Sequence, residues 1–485
     1  MISLLLSLAL IAPQTDTAVQ APTVITLEQA LQIALSENAS VKVADKEIER
    51  TGYARKGTYS ALYPQVSGSG SYQRTLKKQV MYMDFDMGDL TGGFPGDNIP
   101  EESGVETKAG GKGGNEGTTS GGGIEVGRWN TWSAGVTASM PLVNAQLWKS
   151  LEISDQDVEL SIEKARSSRL DMVTQVKQAY FACLLARDAF NVYKSVYENA
   201  LENLELTQKK YNAQKASELD LTRAKATVAN AIPSVYDAEN SVMLSLWQLK
   251  AVMGINLDED IDVAGKLDDY GQHMLYDLHS SSELDLSDNT TMRQLAIQAE
   301  QLANTVKLQK YANIPSLALS FAYSINAMTN DFKFSEYNWS PYSFIGLSLN
   351  IPIFSGGSRH YAIKQTQVQA QELDIQRANT ERQLKISIRQ YLNSMESAMK
   401  SYGAAQSAVE TAEKAYNIAQ KSYNVGRSTL TDLNDAQLAY TQSRLSVTQA
   451  VYNFVVAKSS LEGVLGADFI DEAGNVQLNK TYDNE

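Results

Sequence analysis

The 485-residue chain contains one cysteine, three histidines and ten prolines, and each scarcity excludes something. A lone thiol, Cys183, rules out an intrachain disulfide framework and any CxxC or Cys/His metal cluster, while His273, His279 and His360 are too scattered to read as ligands. No cofactor and no metal is expected. Basic residues are short as well: the formal net charge is -14 and no basic stripe occurs. That balance argues against a nucleic-acid partner, since neutralising phosphates needs Lys and Arg in excess. Long apolar runs of about 18 residues are missing, so no helix is expected to span a membrane, and a chain that crosses a bilayer would do so with strands. At the N-terminus "MISLLLSLALIAPQTDTAVQA" joins an apolar stretch from Ile2 to Ala12 to small and polar residues. It reads as a signal peptide over 1–21, although no Lys or Arg precedes Lys42 to supply the usual charged start.

What is present is a duplication. "SENASVKVADKEIERTGYARKGTYSALYPQVSGSGSY" (36–72) aligns without a gap on "SDNTTMRQLAIQAEQLANTVKLQKYANIPSLALSFAY" (287–323), pairing Asn38 with Asn289 and Pro64 with Pro315. Further on, "YNAQKASELDL" (211–221) aligns on "YNVGRSTLTDL" (423–433), and the register holds to Gly254 and Gly466. The offset falls from 251 to 212, which places about 40 extra residues in the first copy. They coincide with a Gly-, Ser- and acid-rich stretch (92–127) that has little to bury, so 74–128 is expected to be a long loop. The expected organisation is a first repeat 22–254, a connector 255–286, a second repeat 287–466 and a tail 467–485.

Within each repeat the period changes. Small or apolar residues at 395, 398, 402, 405, 409, 412, 416, 419 and 423 keep the 3,4 spacing of a coiled-coil seam, and the duplicate positions 183 to 211 repeat it with Thr207 as the one polar member. Cys183 is thereby a seam residue. Proline is absent between Val143 and Tyr211 and between Phe354 and Tyr423, so helices over 143–211 and 354–423, each about 100 Å long, are expected. Return helices follow over 216–253 and 428–466, with a kink or short break at Pro233.

Strands are expected at 65–73 and 131–141, and again at 316–326 and 342–352. In "SLALSFAYSI" Leu317, Leu319, Phe321, Tyr323 and Ile325 share one face, and Ala318, Ser320, Ala322 and Ser324 the other. About ten residues of such alternation is what a tilted strand needs to cross hydrocarbon, and Trp129, Trp132, Tyr337, Trp339 and Tyr342 gather at the loop ends as an interfacial girdle would. Four strands cannot close a barrel, and an open edge in lipid leaves backbone groups unpaired. A barrel shared between chains resolves this: three chains supply twelve strands, and twelve long helices for a second tube.

These residues resemble a known family. "TLEQALQIALSENASV" (26–41), "ALYPQVSGSGSY" (61–72), "SLNIPIFSGGSRH" (348–360) and "YNVGRSTLTDLNDAQLAY" (423–440), together with the duplication, are similar to the TolC-type outer-membrane efflux family along essentially the whole mature length. The resemblance implies a mixed α and β homotrimer: a 12-stranded β-barrel in the outer membrane of a Gram-negative bacterium, continued by a 12-helix periplasmic α-barrel, with 22–35, 255–286 and 467–485 around its middle. It implies an exit duct of a tripartite efflux or type I secretion system, joined to a periplasmic adaptor and an inner-membrane RND or ABC transporter, and passing drugs, detergents, metal ions or proteins.

By the same resemblance Asp432 and Asp435 correspond to a cation-selective ring at the narrowest periplasmic opening, and Asp220 and Tyr423 to links that hold the entrance shut. The family's gating arginine aligns with Ser428, with Arg427 one position earlier. Adaptor docking maps to the hairpin tips, Asn212, Ala213 and Gln214 in the first and Val425, Gly426 and Ser428 in the second, although the first tip departs from the family's Y-x-V-G.

Read from the residues alone, Asp432 and Asp435 three apart could be a catalytic pair, a metal site or helix N-terminal charges favoured by the macrodipole. No His, Cys or further acid stands beside them to support the first two. Three classes of function remain open at this level: an outer-membrane duct, a soluble periplasmic coiled-coil scaffold, and a hydrolase with paired acids.

Overall fold

The computed structural model describes residues 23–81, 124–271 and 286–466. The expected signal peptide, residues 82–123 of the long loop, 272–285 of the connector and the tail 467–485 lie outside them. The chain divides into a helical unit (residues up to 58, 148–311 and from 355 onward) and a sheet unit (59–147 and 312–354).

In the helical unit a short strand, Thr23–Ile25, and a helix, Leu27–Glu37, precede a series that runs twice. Helices Ala39–Ser60, Ala145–Asn212 and Glu218–Met253 have 22, 68 and 36 residues, and Thr290–Tyr311, Ser358–Asn424 and Leu430–Leu465 have 22, 67 and 36. Residues at the seam positions 395 to 423 are all buried or half-buried. The helix Glu218–Met253 runs through Pro233 without the expected break. Proline removes one amide from a ladder of 36 residues, and the bonds on either side carry the helix across.

Each return helix ends on a left-handed glycine, Gly254 (φ 77°) and Gly466 (φ 68°). At each end an asparagine from the start of the repeat closes the joint. Asn38 donates its Nδ2 to the Val252 carbonyl at 2.6 Å, and Asn289 does the same to Val464 at 2.5 Å. These amides take carbonyls that a helix C-terminus leaves orphaned.

The core lies where the long helices meet. Tyr180, Leu184, Leu249, Met253 and Leu267 pack with Ile388, Met395, Val451 and Phe454. Tyr180 also donates its hydroxyl to the Ala264 carbonyl at 2.7 Å, tying in the strand Ile261–Val263 that pairs in parallel with Thr23–Ile25. Burial pushes its phenol up to about 12 and the Cys183 thiol up to about 11, so neither ionises near neutral pH.

The sheet unit contains four antiparallel strands in the spatial order Gln65–Arg74, Asn130–Val143, Ser316–Thr329, Ser340–Asn350. The register places Val136 opposite Tyr323 and Phe321 opposite Ile345, so one face carries Leu317, Leu319, Phe321, Tyr323 and Ile325 with Val136, Met140, Ile345, Leu347 and Leu349. The opposite face is small and hydroxyl-rich, with Ser67 bonded to Thr137 at 2.8 Å and Ser71 to Ser133 at 2.6 Å. Strands 65–74 and 340–350 are the edges.

Two expectations change here. Both ends of the long loop are paired: Gln79–Met81 runs antiparallel to Ile124–Val126, with Gln79 opposite Val126, Val80 opposite Glu125 and Met81 opposite Ile124. And the aromatic girdle is regrouped. Tyr72, Trp132, Phe334 and Tyr337 form a chain of rings with centroids 4.3 to 5.0 Å apart. Tyr342, opposite Ser324, is on the hydroxyl-rich face beside Phe344, since strand parity sends it away from the others.

Candidate functional site

The residues singled out in the sequence gather at the two turns that join long helices to return helices. Both turns close in the same way. Gln214 N donates to the Tyr211 carbonyl at 2.8 Å and Lys215 N to Lys210 at 2.8 Å; Gly426 N donates to Tyr423 at 3.1 Å and Arg427 N to Ser422 at 2.8 Å. This glycine-type helix ending requires a left-handed residue. Gly426 adopts it at φ 80°, whereas its duplicate Gln214 is forced to φ 57° and is the only non-glycine with positive φ among the described residues. A Cβ in that conformation costs roughly 1 kcal/mol. Gln214→Gly is therefore expected to stabilise the first turn by about 1 kcal/mol and to slow hydrogen exchange at the amides of 213–215. Unchanged exchange would mean that the Gln214 side chain compensates its own strain.

Each return helix then opens with a capping box. The Ser217 hydroxyl accepts from Asp220 N at 3.1 Å while the Asp220 carboxylate accepts from Ser217 N at 3.3 Å and Oγ at 2.7 Å. Thr429 and Asp432 repeat this, with Asp432 accepting from Thr429 N at 2.9 Å and Oγ1 at 2.7 Å. Asp220 and Asp432 are thus one position in two copies, chosen by what an N-terminal turn needs. Hydrogen bonds from the Thr429 hydroxyl and then the Thr429 amide hold the exposed Asp432 carboxyl below its ordinary range. The associated stability is present above the unfolded-state pKa and lost as pH falls through the lower folded one.

Asp435 is one turn on, along the same face, exposed and without a hydrogen-bond partner among the described residues. Arg427 is exposed at the turn, as are Asn212, Ala213 and Val425; Asn212 accepts from Gln208 at 2.9 Å, and Ser428 is half-buried.

Tyr423 and Asp220 are not bonded to each other. The Tyr423 ring is buried among Ala224, Tyr416, Leu430 and Leu433, and its hydroxyl is 2.5 Å from that of Thr207. Lys210 donates its ammonium to the Tyr423 carbonyl at 2.5 Å and holds it 4.0 Å from the ring centre, and burial lowers the Lys210 pKa. Asp220 is instead occupied by Ser217, which stands closer along the chain than Tyr423 does. Thr207 and Lys210 were not recognised as site residues in the sequence. Thr207 stood out in the sequence only as the one polar member of its seam, and nothing there paired it with Tyr423. The duplicate of Tyr423, Tyr211, is 39% exposed, so the tie joins the two hairpins in one direction only.

Among the described residues no three His, Cys, Asp or Glu could share a metal, and no helix is long and apolar enough to cross a membrane.

The chain is similar to several known proteins. The model of a family described as outer membrane efflux protein matches residues 30–255 and 282–467. The outer membrane protein TolC of Vibrio cholerae serotype O1 is 22% identical over 346 residues, covering 69% of this chain and 76% of that protein. The proteases secretion protein PrtF of Dickeya chrysanthemi is 21% identical, covering 55% of this chain and 57% of that one. Among solved structures, the CmeC outer membrane channel of Campylobacter jejuni superposes with a TM-score of 0.66 at 18% identity, over 91% of this chain and 85% of that one.

Proposed function

The chain belongs to the outer membrane efflux protein family, and from that premise we propose how it forms its duct. It is an outer-membrane exit channel that extends into the periplasm, as its efflux and secretion relatives are. Three copies together supply twelve strands for a membrane barrel and twelve helices, drawn from two internal repeats, for a periplasmic tube. The reading rests on the sheet: apolar on one face, hydroxyl-rich on the other, with edge strands 65–74 and 340–350 that a neighbouring chain must pair if the sheet is to sit in lipid.

At the periplasmic end Asp432 and Asp435 of three chains form two rings of carboxylates that favour cations. Tyr423 holds the entrance closed through Thr207 and Lys210, while Asp220 caps its own helix and Arg427 stays available for a neighbouring chain. The turns at 212–214 and 425–428 present the surface for a periplasmic adaptor, and an inner-membrane RND or ABC transporter delivers the substrate.

Planar bilayers test this. The purified protein is expected to conduct and to prefer cations, and Asp432→Asn with Asp435→Asn is expected to bring the cation-to-anion permeability ratio down toward unity. Asparagine keeps the acceptor that Thr429 needs, so the cap survives the change. Unaltered selectivity would remove the rings, and a protein recovered as a non-conducting soluble trimer would restore the scaffold reading.

A further inference from the structure

The charges of the sheet unit are unevenly placed. Its described residues hold Arg74, Lys77, Lys78, Arg128 and Lys333 against Glu125, Asp331 and Glu336. Apart from Arg74 at its very end, the four long strands carry no charge. The chain leaves the sheet for its helices at 60–65, 143–145, 311–316 and 350–358, so every charge lies at the opposite, loop end. Among the described residues, in a chain of net charge -14, this end has five cations to three anions.

Pairing brings four of the cations together. Arg74 is opposite Asn130 and Gln79 opposite Val126, which puts Lys77, Lys78 and Arg128 between them on one two-stranded stalk. Arg74 follows Tyr72 by two residues and therefore shares the apolar face. The Lys78 ammonium is 4.9 Å from the Trp129 ring centre.

Beside the stalk, residues 330–339 fold onto the same apolar face. Asn130 Nδ2, the Thr329 hydroxyl and the Tyr337 hydroxyl all donate to the Asp331 carbonyl, at 3.2, 3.0 and 2.7 Å. That pins Phe332 6.2 Å from Tyr72 and Phe334 4.7 Å from Trp132, yet leaves the two phenylalanines 55% and 53% exposed. Lys333 stands between them, shared with Glu336 at 3.7 Å.

Open aromatic rings on a lipid-facing surface, next to a stalk of cations, suit a ligand that is hydrocarbon on one side and anionic on the other. We propose that the stalk formed by Arg74, Lys77, Lys78 and Arg128 binds the phosphate groups of outer-leaflet lipids, with Phe332 and Phe334 against the adjoining acyl chains. Lysine and arginine supply charge-assisted bonds to the phosphate oxygens, and the phenylalanines fix the depth at which the loop end meets the headgroups. The inference builds on the membrane placement of the sheet and adds a lipid class to it.

The test uses the intact protein in detergent, titrated with bisphosphorylated lipid A or with the same lipid after removal of its phosphates, and read by native mass spectrometry. The phosphorylated lipid is expected to bind more tightly. Lys77→Gln, Lys78→Gln and Arg128→Gln together are expected to weaken it about a hundredfold, roughly fivefold for each charge, without altering single-channel conductance. Neutralising Lys46, Lys209 and Lys400 in the helical unit, an equal change in net charge, should leave binding intact. Equal affinity for both lipids would overturn the proposal, because acyl chains alone would then account for binding. Loss of binding with EDTA would also overturn it, since divalent ions bridging acidic groups to phosphate would be responsible. A normal conducting channel that fails to distinguish the lipids defeats this proposal only; a protein that never conducts defeats the duct reading as well.

Discussion

Gly466→Ala is expected to prevent the folded channel from accumulating. Gly466 adopts φ 68°, and a Cβ there would stand 2.2 Å from the Asp288 carbonyl oxygen and 3.2 Å from Asn289 Cα. Both obstacles are backbone, held in place by the Asn289 bond to Val464. Left-handed strain and the forced shift together cost more than about 3 kcal/mol. Gly254→Ala is expected to be milder, because its Cβ would be 2.9 Å from the Glu37 carbonyl oxygen. The amount of folded protein recovered from membranes checks the first, and thermal unfolding of whatever is recovered checks both. A Gly466→Ala protein that melts within a few degrees of the unsubstituted one would show that the joint between the repeat's beginning and end yields freely.

Thr207→Val and Tyr423→Phe are each expected to raise single-channel conductance, and the double variant to raise it no further than the stronger single change. The two hydroxyls are 2.5 Å apart and buried, so losing either one ends the same bond. Thr207→Val also leaves the Tyr423 hydroxyl buried without a partner, a penalty of about 1 to 3 kcal/mol on the closed arrangement. Lys210→Met is expected to act in the same direction by removing the ammonium from the Tyr423 carbonyl and ring. Asp220→Ala should behave differently. It removes the N3 half of a capping box whose N-cap, Ser217, remains, and should add independently to Tyr423→Phe, since Asp220 is bonded to Ser217. A silent Thr207→Val alongside strong coupling between Asp220 and Tyr423 would return Asp220 to the links in which the family resemblance places it.

The contrast between these two sites shows what a sequence discloses. Long helices were legible because the seam at 395 to 423 repeats one local rule, and the strands because alternation from Leu317 to Ile325 repeats another. Even the equivalence of Asp220 and Asp432 was available from the offset of 212, and capping chemistry explains it locally. The partners of Tyr423 were not legible. Thr207 is 216 residues away, and nothing along the chain ranks it above Asp220. The strain at Gln214 was half visible: the missing glycine could be read, but the turn that forces a left-handed residue there had to be seen. The loop 74–128 was read by its glycine content, which hid the short pairing of 79–81 with 124–126. Tyr342 was grouped with its aromatic neighbours in sequence, although strand parity sends it to the other face.

By itself the amino-acid order indicated the kinds of element, because periodicity, capping and proline exclusion act over one or two turns of chain. Which hydroxyl meets Tyr423, where residues 330–339 fold, and how Asn289 closes on Val464 were decided only by tertiary structure. Those contacts join residues that the chain keeps far apart, and a buried polar group takes whichever partner packing brings within about 3 Å.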